Sequence, residues 1–286
     1  MSNTYHDTIY EGERALFASQ DATIVGCTFQ NGESPLKESK KLNISNSTFK
    51  WKYPLWYCED VVCRSITLDE TARSGIWYTK NIKIFNSLIN APKTFRRADH
   101  IFLEQVKIPN AQETFWKCSD IHLESVEAKG DYFGFNSTDI VCNNLTLDGN
   151  YAFDGAKNIT IRDSVLYSKD SFWNTENVTI INSTIIGEYL GWNSKNLTLI
   201  NCTIKSHQGL CYIDGLKMIS CKMYESDLCF EYCSNVLARI ITSVDSIKNP
   251  YSGRIHVKEV KELIMDEKYI NPRKTQIFIG DNHEKI

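Results

Sequence analysis

No apolar run in this 286-residue chain reaches the roughly 18 residues that a membrane-spanning helix needs, so neither such a helix nor a membrane partner is expected. The opening residues, MSNTYHDTIYEGERALFASQ, lack a basic stretch followed by an apolar core. A secretory signal is therefore not expected, Met1 reads as the native start, and the default location is the cytoplasm. An excess of charge is missing too: 32 Lys and Arg stand against 35 Asp and Glu, a formal net charge of -3. With no global field to attract a polyanion, nucleic acid is not expected as a partner. Ten cysteines are present, but none sits in a CxxC pair and the six histidines are scattered, which argues against a metal site; no cofactor is expected.

What is present is repetition. "SFWNTENVTIINSTIIGEY" (171–189) runs straight into "LGWNSKNLTLINCTIKSHQ" (190–208), and the same frame recurs upstream in "AFDGAKNITIRDSVLYSKD", "FGFNSTDIVCNNLTLDGNY" and "TFWKCSDIHLESVEAKGDY". About twelve units of roughly 19 residues can be laid out. Inside each, apolar residues alternate with period two, as Val178 and Ile180 and then Ile185 do, which reads as short half-buried strands. A polar residue separates the two runs, and its column reads Asn46, Asn86, Asn144, Asp163, Asn182, Asn201; Asn tolerates left-handed backbone, so a sharp bend is expected there in every unit. Units this short cannot close a core alone but can stack, each strand pairing with its equivalent in the next unit. The spacing predicts an all-β fold, a single-stranded parallel β-helix with three strands per coil. The helical returns and LxxLxLxxN spacing of leucine-rich repeats are missing. Residues 1–13 read as an N-terminal cap, 14–240 as coils, and 241–286 as an irregular C-terminal cap of the same single domain.

Two tempting motifs dissolve in the columns. The Asn-x-Ser/Thr sequons at Asn46, Asn136, Asn158, Asn177 and Asn196 follow from bend asparagines beside a threonine column. The cysteines fall mostly into interior columns and read as small buried hydrophobes, unpaired in a reducing compartment.

With the coils aligned, the chain resembles the right-handed, three-sheet β-helices of the pectin lyase-like superfamily over residues 14 to 240. The stretches "YPLWYCE", "GIWYT", "APKTFRRA", "KGDYF", "LDGNYAFDGA", "GEYLGWNSKNLT" and "QGLCYI" are, more closely, similar to those of an uncharacterised bacterial family of β-helix proteins defined only as a domain of unknown function. The superfamily's better-known enzymes cleave acidic polysaccharides. Their motifs do not carry over: there is no Asp-Asp pair, no His-Gly after it and no Arg-Ile-Lys. Likeness of fold alone does not license the reaction.

Chemistry is expected on the first strand of each coil. One column there, Leu36, Leu55, Ile76, Phe95, Phe115, Gly134, Phe153, Phe172, Gly191, is free of charge and reads as interior. The next, Lys37, Trp56, Trp77, Arg96, Trp116, Phe135, Asp154, Trp173, Trp192, Cys211, Cys229, then faces out and holds five of the six tryptophans. Such a wall would stack sugar rings, or would simply stabilise the coil by cross-strand contact. Asp131, Asp170 and Glu188, with Tyr132 and Tyr151, approach the same strand. Asp154 and Asp170 should have Cα atoms about 11 Å apart, which brings their carboxyls toward the roughly 6.5–9.5 Å used by inverting glycosidases. The expectation is carbohydrate recognition, with hydrolysis or elimination left open: Asp154 as acid or base, Asp131 or Asp170 as its partner, Arg96 and Arg97 as anchors for an anionic group, and Lys37, Trp56, Trp77, Trp116, Trp173, Trp192, Tyr132, Tyr151 and Glu188 as ligand contacts. The alternative is a noncatalytic interaction scaffold.

Overall fold

A strand of mostly six residues recurs at the predicted beat, and within each of two units it lies parallel on its predecessor. The computed structural model describes residues 3–280; Met1, Ser2 and residues 281–286, the outer ends of the two expected caps, lie outside the described residues. The chain divides into two units, up to Asp148 and from Gly149 onward, each a parallel β-solenoid. In the first, Asn3–His6 is followed by Gln20–Val25, Lys40–Ser45, Glu59–Arg64, Lys80–Phe85, Asp99–Glu104, Ser119–Glu124 and Thr138–Asn143. In the second the equivalents are Lys157–Arg162, Glu176–Ile181, Lys195–Ile200, Asp214–Tyr224, Val236–Lys248, Gly253–Ile264 and Thr275–Ile279.

The described residues therefore wind through fifteen strand-bearing turns, not about twelve. Residues 241–280, expected to be irregular, continue the parallel pairing, Val236–Lys248 on Gly253–Ile264 and that on Thr275–Ile279. The beat is hidden there because the two strands of a turn fuse into runs of 11 to 13 residues and the register shifts between Met218 and Cys221 and between Ile240 and Ser243. A bulge adds a residue to one strand without unpairing its neighbours, so spacing in sequence drifts while the sheet continues.

The ladders are those read from the alternation. Val61, Ile82, Ile101, Ile121 and Ile140 stack in register and are buried, as are Ile159, Val178, Leu197 and Leu216 in the second unit. Thr160, Thr179 and Thr198 form the half-exposed column between interior ladders. A shorter strand of two or three residues follows each bend and builds a second sheet. The third is rudimentary, confined to Ile76–Trp77 on Phe95–Arg96 with a bridge from Arg96 to Trp116. Elsewhere the third face is a ladder of tight turns whose backbones still bond from turn to turn, as in Leu55 N–H to Gly75 O at 2.9 Å.

Left-handed residues make these corners. The bend column Asn46, Asn86 and Asn144 has φ between 49° and 54°, and Asp163, Asn182 and Asn201 all have φ 51°. A second such column kinks the long strand at its second residue, Asn81 in the first unit and, in the second, Asn158, Asn177 and Asn196, three of the bend asparagines that carry the sequons. Their amides form ladders, Asn177 Nδ2 donating to Asn158 Oδ1 at 3.1 Å and Asn196 Nδ2 to Asn177 Oδ1 at 3.0 Å. Asn201 likewise donates to Asn182 at 2.9 Å and Asn182 to Asp163 at 3.2 Å. Every amide donates toward the preceding turn, so the first member need only accept, which a carboxylate such as Asp163 does without a wasted donor.

All ten cysteines are buried, and some of them do more than fill space. Corner positions just after a bend are occupied by Ser47 and Ser87 in the first unit and Ser164, Ser183, Cys202 and Cys221 in the second, all buried. Each serine hydroxyl donates to the carbonyl two residues back, as Ser183 Oγ does to Ile181 O at 2.8 Å, and Cys202 Sγ repeats that contact to Ile200 O at 3.4 Å. Cys202 and Cys221 are serine substitutes at polar corners, whereas Cys63 and Cys142 stand in an interior ladder beside Ile84 and Leu123 as small apolar residues. All ten thiols are unpaired, and burial pushes those of Cys58 and Cys118 up to about 12.

Candidate functional site

In the first unit the outer column stands where the alternation put it, half-buried over the interior stack of Ile76, Phe95 and Phe115. Its rings pack on one another. Trp56 and Trp77 lie 5.2 Å apart and 9° from parallel, and Trp116 and Phe135 lie 4.2 Å apart. Where the column carries Arg96, its guanidinium sits between two indoles, 4.6 Å from Trp77 and 5.1 Å from Trp116. Glu113 holds Arg96 at 3.2 Å and Lys93 at 3.0 Å. Indole N–H groups are satisfied by the backbone of the next turn, Trp56 by Ser74 O at 2.5 Å and Trp77 by Lys93 O at 2.8 Å. The ring faces thus cover each other and the edges meet solvent, so this pillar does not offer the broad faces on which a sugar ring stacks.

Beside it runs a second stack, Tyr57 on Tyr78 at 4.7 Å, with Lys37 Nζ 5.6 Å from Tyr57 and Arg97 6.0 Å from Tyr78. Tyr132 stands edge-on to Phe135 at 6.1 Å, and the Asp131 N–H donates to Gln112 Oε1 at 3.2 Å. The first unit therefore brings Lys37, Trp56, Trp77, Arg96, Arg97, Trp116 and Tyr132 onto one face.

In the second unit the column loosens. Trp173 and Trp192 are 6.1 Å apart at 37°, Tyr151 meets Trp173 edge-on at 6.1 Å, and Trp173 Nε1 donates to Tyr189 O at 2.7 Å. Cys211 and Cys229, placed in this outer column by the spacing, are buried. An extra residue in the turn after Trp192 slides the register, and Tyr212, Tyr232 and Tyr251 continue the pillar at 4.6, 5.3 and 5.0 Å. Asp154 Oδ1 accepts from Asn174 Nδ2 at 2.9 Å, and Asn174 Oδ1 accepts from Asn193 at 2.9 Å, so Asp154 starts an asparagine ladder as Asp163 does.

Asp170 is the perturbed acid of this face. Burial and the nearby charge of Glu188 hold its carboxyl above the ordinary value of 3.8, against the opposing pull of Lys169 and a hydrogen bond with Tyr151. Glu188 itself pairs with Lys169 at 3.1 Å. Between the ordinary value and the raised one, the folded state holds protons that the unfolded chain has released, so the stability this group contributes at low pH is lost as pH rises through that window. Asp170→Asn, which also suits the left-handed φ of 55° there, should therefore raise the melting temperature at pH 7 and leave it unchanged below pH 3.8. Melting curves from pH 3 to 8 check this; an Asn variant less stable at pH 7 would reverse the assignment.

Next to this cluster the surface folds into a concavity of about 460 Å³. Tyr167, Ile186 and Lys205 are register neighbours along its floor, with Tyr167 48% exposed. The walls are ion pairs, Lys169–Glu188 and Lys205–Glu225 at 2.5 Å, and His207, whose Nδ1 lies 2.7 Å from Asp227 Oδ1. Of the expected ligand residues only Glu188 lines it. Tyr167, Lys205 and His207 stand in columns at the repeat spacing but alternate with residues of no common chemistry, so the sequence pattern does not mark them as a site. Among the described residues no group of three or more His, Cys, Asp or Glu is placed to hold a metal ion, and no helix is long and apolar enough to cross a membrane.

Residues 3–278 match the family described as protein of unknown function, DUF3737. No curated protein matches the sequence. Among solved structures the chain is similar to PfbA, a surface adhesin of Streptococcus pneumoniae, at 11% identity over 75% of this chain and 70% of that one, TM-score 0.41. It is also similar to the A-module of the Azotobacter vinelandii mannuronan C-5 epimerase AlgE4, at 9% identity over 100% of this chain and 91% of that one, TM-score 0.30. Likeness at these scores carries no argument about activity.

Proposed function

The chain belongs to the DUF3737 family, and from that premise we propose that it is a carbohydrate-recognition protein whose ligand sits in the second unit, in the concavity between Lys169–Glu188 and Lys205–Glu225. The observation that carries this reading is the pairing of an apolar floor with balanced charge. A volume of about 460 Å³ is within the usual range for small-ligand sites, and Tyr167 offers a ring that the pillar tryptophans of the first unit do not. Sugar hydroxyls donate and accept, and each ion pair supplies a donor and an acceptor side by side. Exposed pairs of this kind contribute only about 0–1 kcal/mol, so redirecting them to a ligand costs little. Balanced walls favour a neutral saccharide. Turnover is outside the proposal, since Asp154 is engaged by the asparagine ladder. A cytoplasmic location and a place in the pectin lyase-like superfamily belong to the same proposal; ten unpaired cysteines support the former.

A thermal-shift screen with neutral oligosaccharides tests it. A ligand at 100 times its Kd adds about 2.7 kcal/mol of stability. Tyr167→Ala and Glu188→Gln should each weaken the response at least tenfold in affinity, whereas Trp56→Phe should not. If no sugar stabilises the protein, the noncatalytic scaffold is the better reading.

A further inference from the structure

Interior rings of the second unit's pillar are flanked on both sides: Trp192 by Trp173 and Tyr212, Tyr212 by Trp192 and Tyr232, Tyr232 by Tyr212 and Tyr251. Tyr251 is the end of the stack. Its ring neighbour is Tyr232, and it remains 43% exposed. Beyond it the chain leaves the winding: residues 265–274 connect Gly253–Ile264 to Thr275–Ile279 through a turn and the short 3-10 segment Pro272–Lys274. This excursion is anchored. The Asp266 N–H donates to Asn249 Oδ1 at 2.8 Å, Ile270 is buried, and Thr275 Oγ1 donates to Pro250 O at 3.1 Å.

Together Tyr251 and the excursion enclose a concavity of about 490 Å³, apart from the sugar site proposed above. Its lining includes Lys268 and Lys274 against one acid, Glu267, and neither lysine has a carboxylate partner among the described residues. The last ring of a stack whose members sit 4.6 to 6.1 Å apart, Tyr251, borders an open volume, so an aromatic face is available to a ligand there. Lys268, whose Nζ lies 5.5 Å from the Tyr269 ring, and Lys274 line the same volume and select charge.

We propose that this concavity binds a planar aromatic ligand carrying an anionic group, its ring stacked on Tyr251 as the next member of the pillar and its anion held by Lys274 and Lys268. The same chemistry is offered by an aromatic carboxylate and by a nucleoside monophosphate, so the full chain is titrated calorimetrically with 2-naphthoate and with adenosine 5′-monophosphate, and with the neutral 2-naphthalenemethanol as control. The expected result is binding of at least one of the two anions, weakened at least tenfold by Tyr251→Leu, retained by Tyr251→Phe, weakened by Lys274→Gln, and untouched by Glu188→Gln. The tighter anion names the source. Binding that survives Tyr251→Leu in a variant of native melting temperature, or binding of neither anion at millimolar concentration, overturns the site. Equal affinity for the neutral control overturns its anionic character. Because Glu188→Gln affects only the sugar site, failure of one proposal is separable from failure of the other.

Discussion

Phe115→Ala is expected to cost the protein about 3–5 kcal/mol, the range for emptying a buried aromatic position. Phe115 is 1% exposed, with Phe95 stacked on it at 4.7 Å and 7° and Phe133 edge-on at 5.1 Å and 75°. Such contacts add about 0.5–1.5 kcal/mol to burial alone. Neighbouring rings cannot readily collapse into the void, because their backbones are bonded from turn to turn, the Trp116 N–H donating to Phe95 O at 3.0 Å and the Gly134 N–H to Thr114 O at 2.9 Å. Phe115 also has a left-handed φ of 57°, which Leu210 shares at 56°, so Phe115→Leu meets no new backbone strain and should recover most of the loss. A solenoid turn touches only its neighbours, so the damage should be local. Urea unfolding should show a lowered midpoint at unchanged slope, and hydrogen exchange should quicken first around residues 95 and 133. A cost under about 1 kcal/mol would mean that this column is not the core.

The features legible in the sequence are those the backbone repeats. Val178, Leu197 and Leu216 could be placed inside because period-two alternation and a fixed beat leave one choice of face, and the bend asparagines could be placed because Asn recurs in one column and takes left-handed backbone more readily than most residues. Legibility weakens where a residue is inserted or a glycine stands in an interior column. Tyr212, not Cys211, joins the pillar because the turn after Trp192 is one residue longer, and Phe133 supplies the buried ring beside Gly134, which has no side chain, although the repeat spacing is unbroken there. The site was harder still. That Trp56 and Trp77 lie at the surface follows from their column, but that they turn their faces to each other depends on side-chain rotamers, on which the alternation is silent. Arg96 looked free to hold an anion because its partner Glu113 lies 17 residues away in the next turn, beyond any local pattern. The concavity in the second unit depends on side chains from three or more turns at once, and on one residue that has none.

That residue is Gly187, and Gly187→Ala is the other substitution expected to act strongly. A methyl group there would stand 1.8 Å from the carbonyl oxygen of Ser168 and 2.4 Å from its carbon. Backbone, not a flexible side chain, is in the way, and it is pinned: the Ser168 N–H donates to Ile186 O at 2.9 Å and the Gly187 N–H to Lys205 O at 3.0 Å. The turns must separate locally, which puts the cost at the upper end of overpacking, about 3 kcal/mol. Gly12→Ala is the control, since its φ of 89° is left-handed but nothing lies within 4 Å of the added atom; it should cost only about 1 kcal/mol, the backbone term alone. The displaced segments carry Lys169 and Glu188, opposite ends of one wall of the concavity. Gly187→Ala should therefore lose neutral-sugar binding by more than tenfold even at temperatures where it is folded, and Gly12→Ala should bind as the unaltered chain does. Equal stability of the two variants would mean that the close approach of Ser168 to Gly187 is not a constraint on this corner, and intact sugar binding by a folded Gly187→Ala would remove the ligand from this concavity.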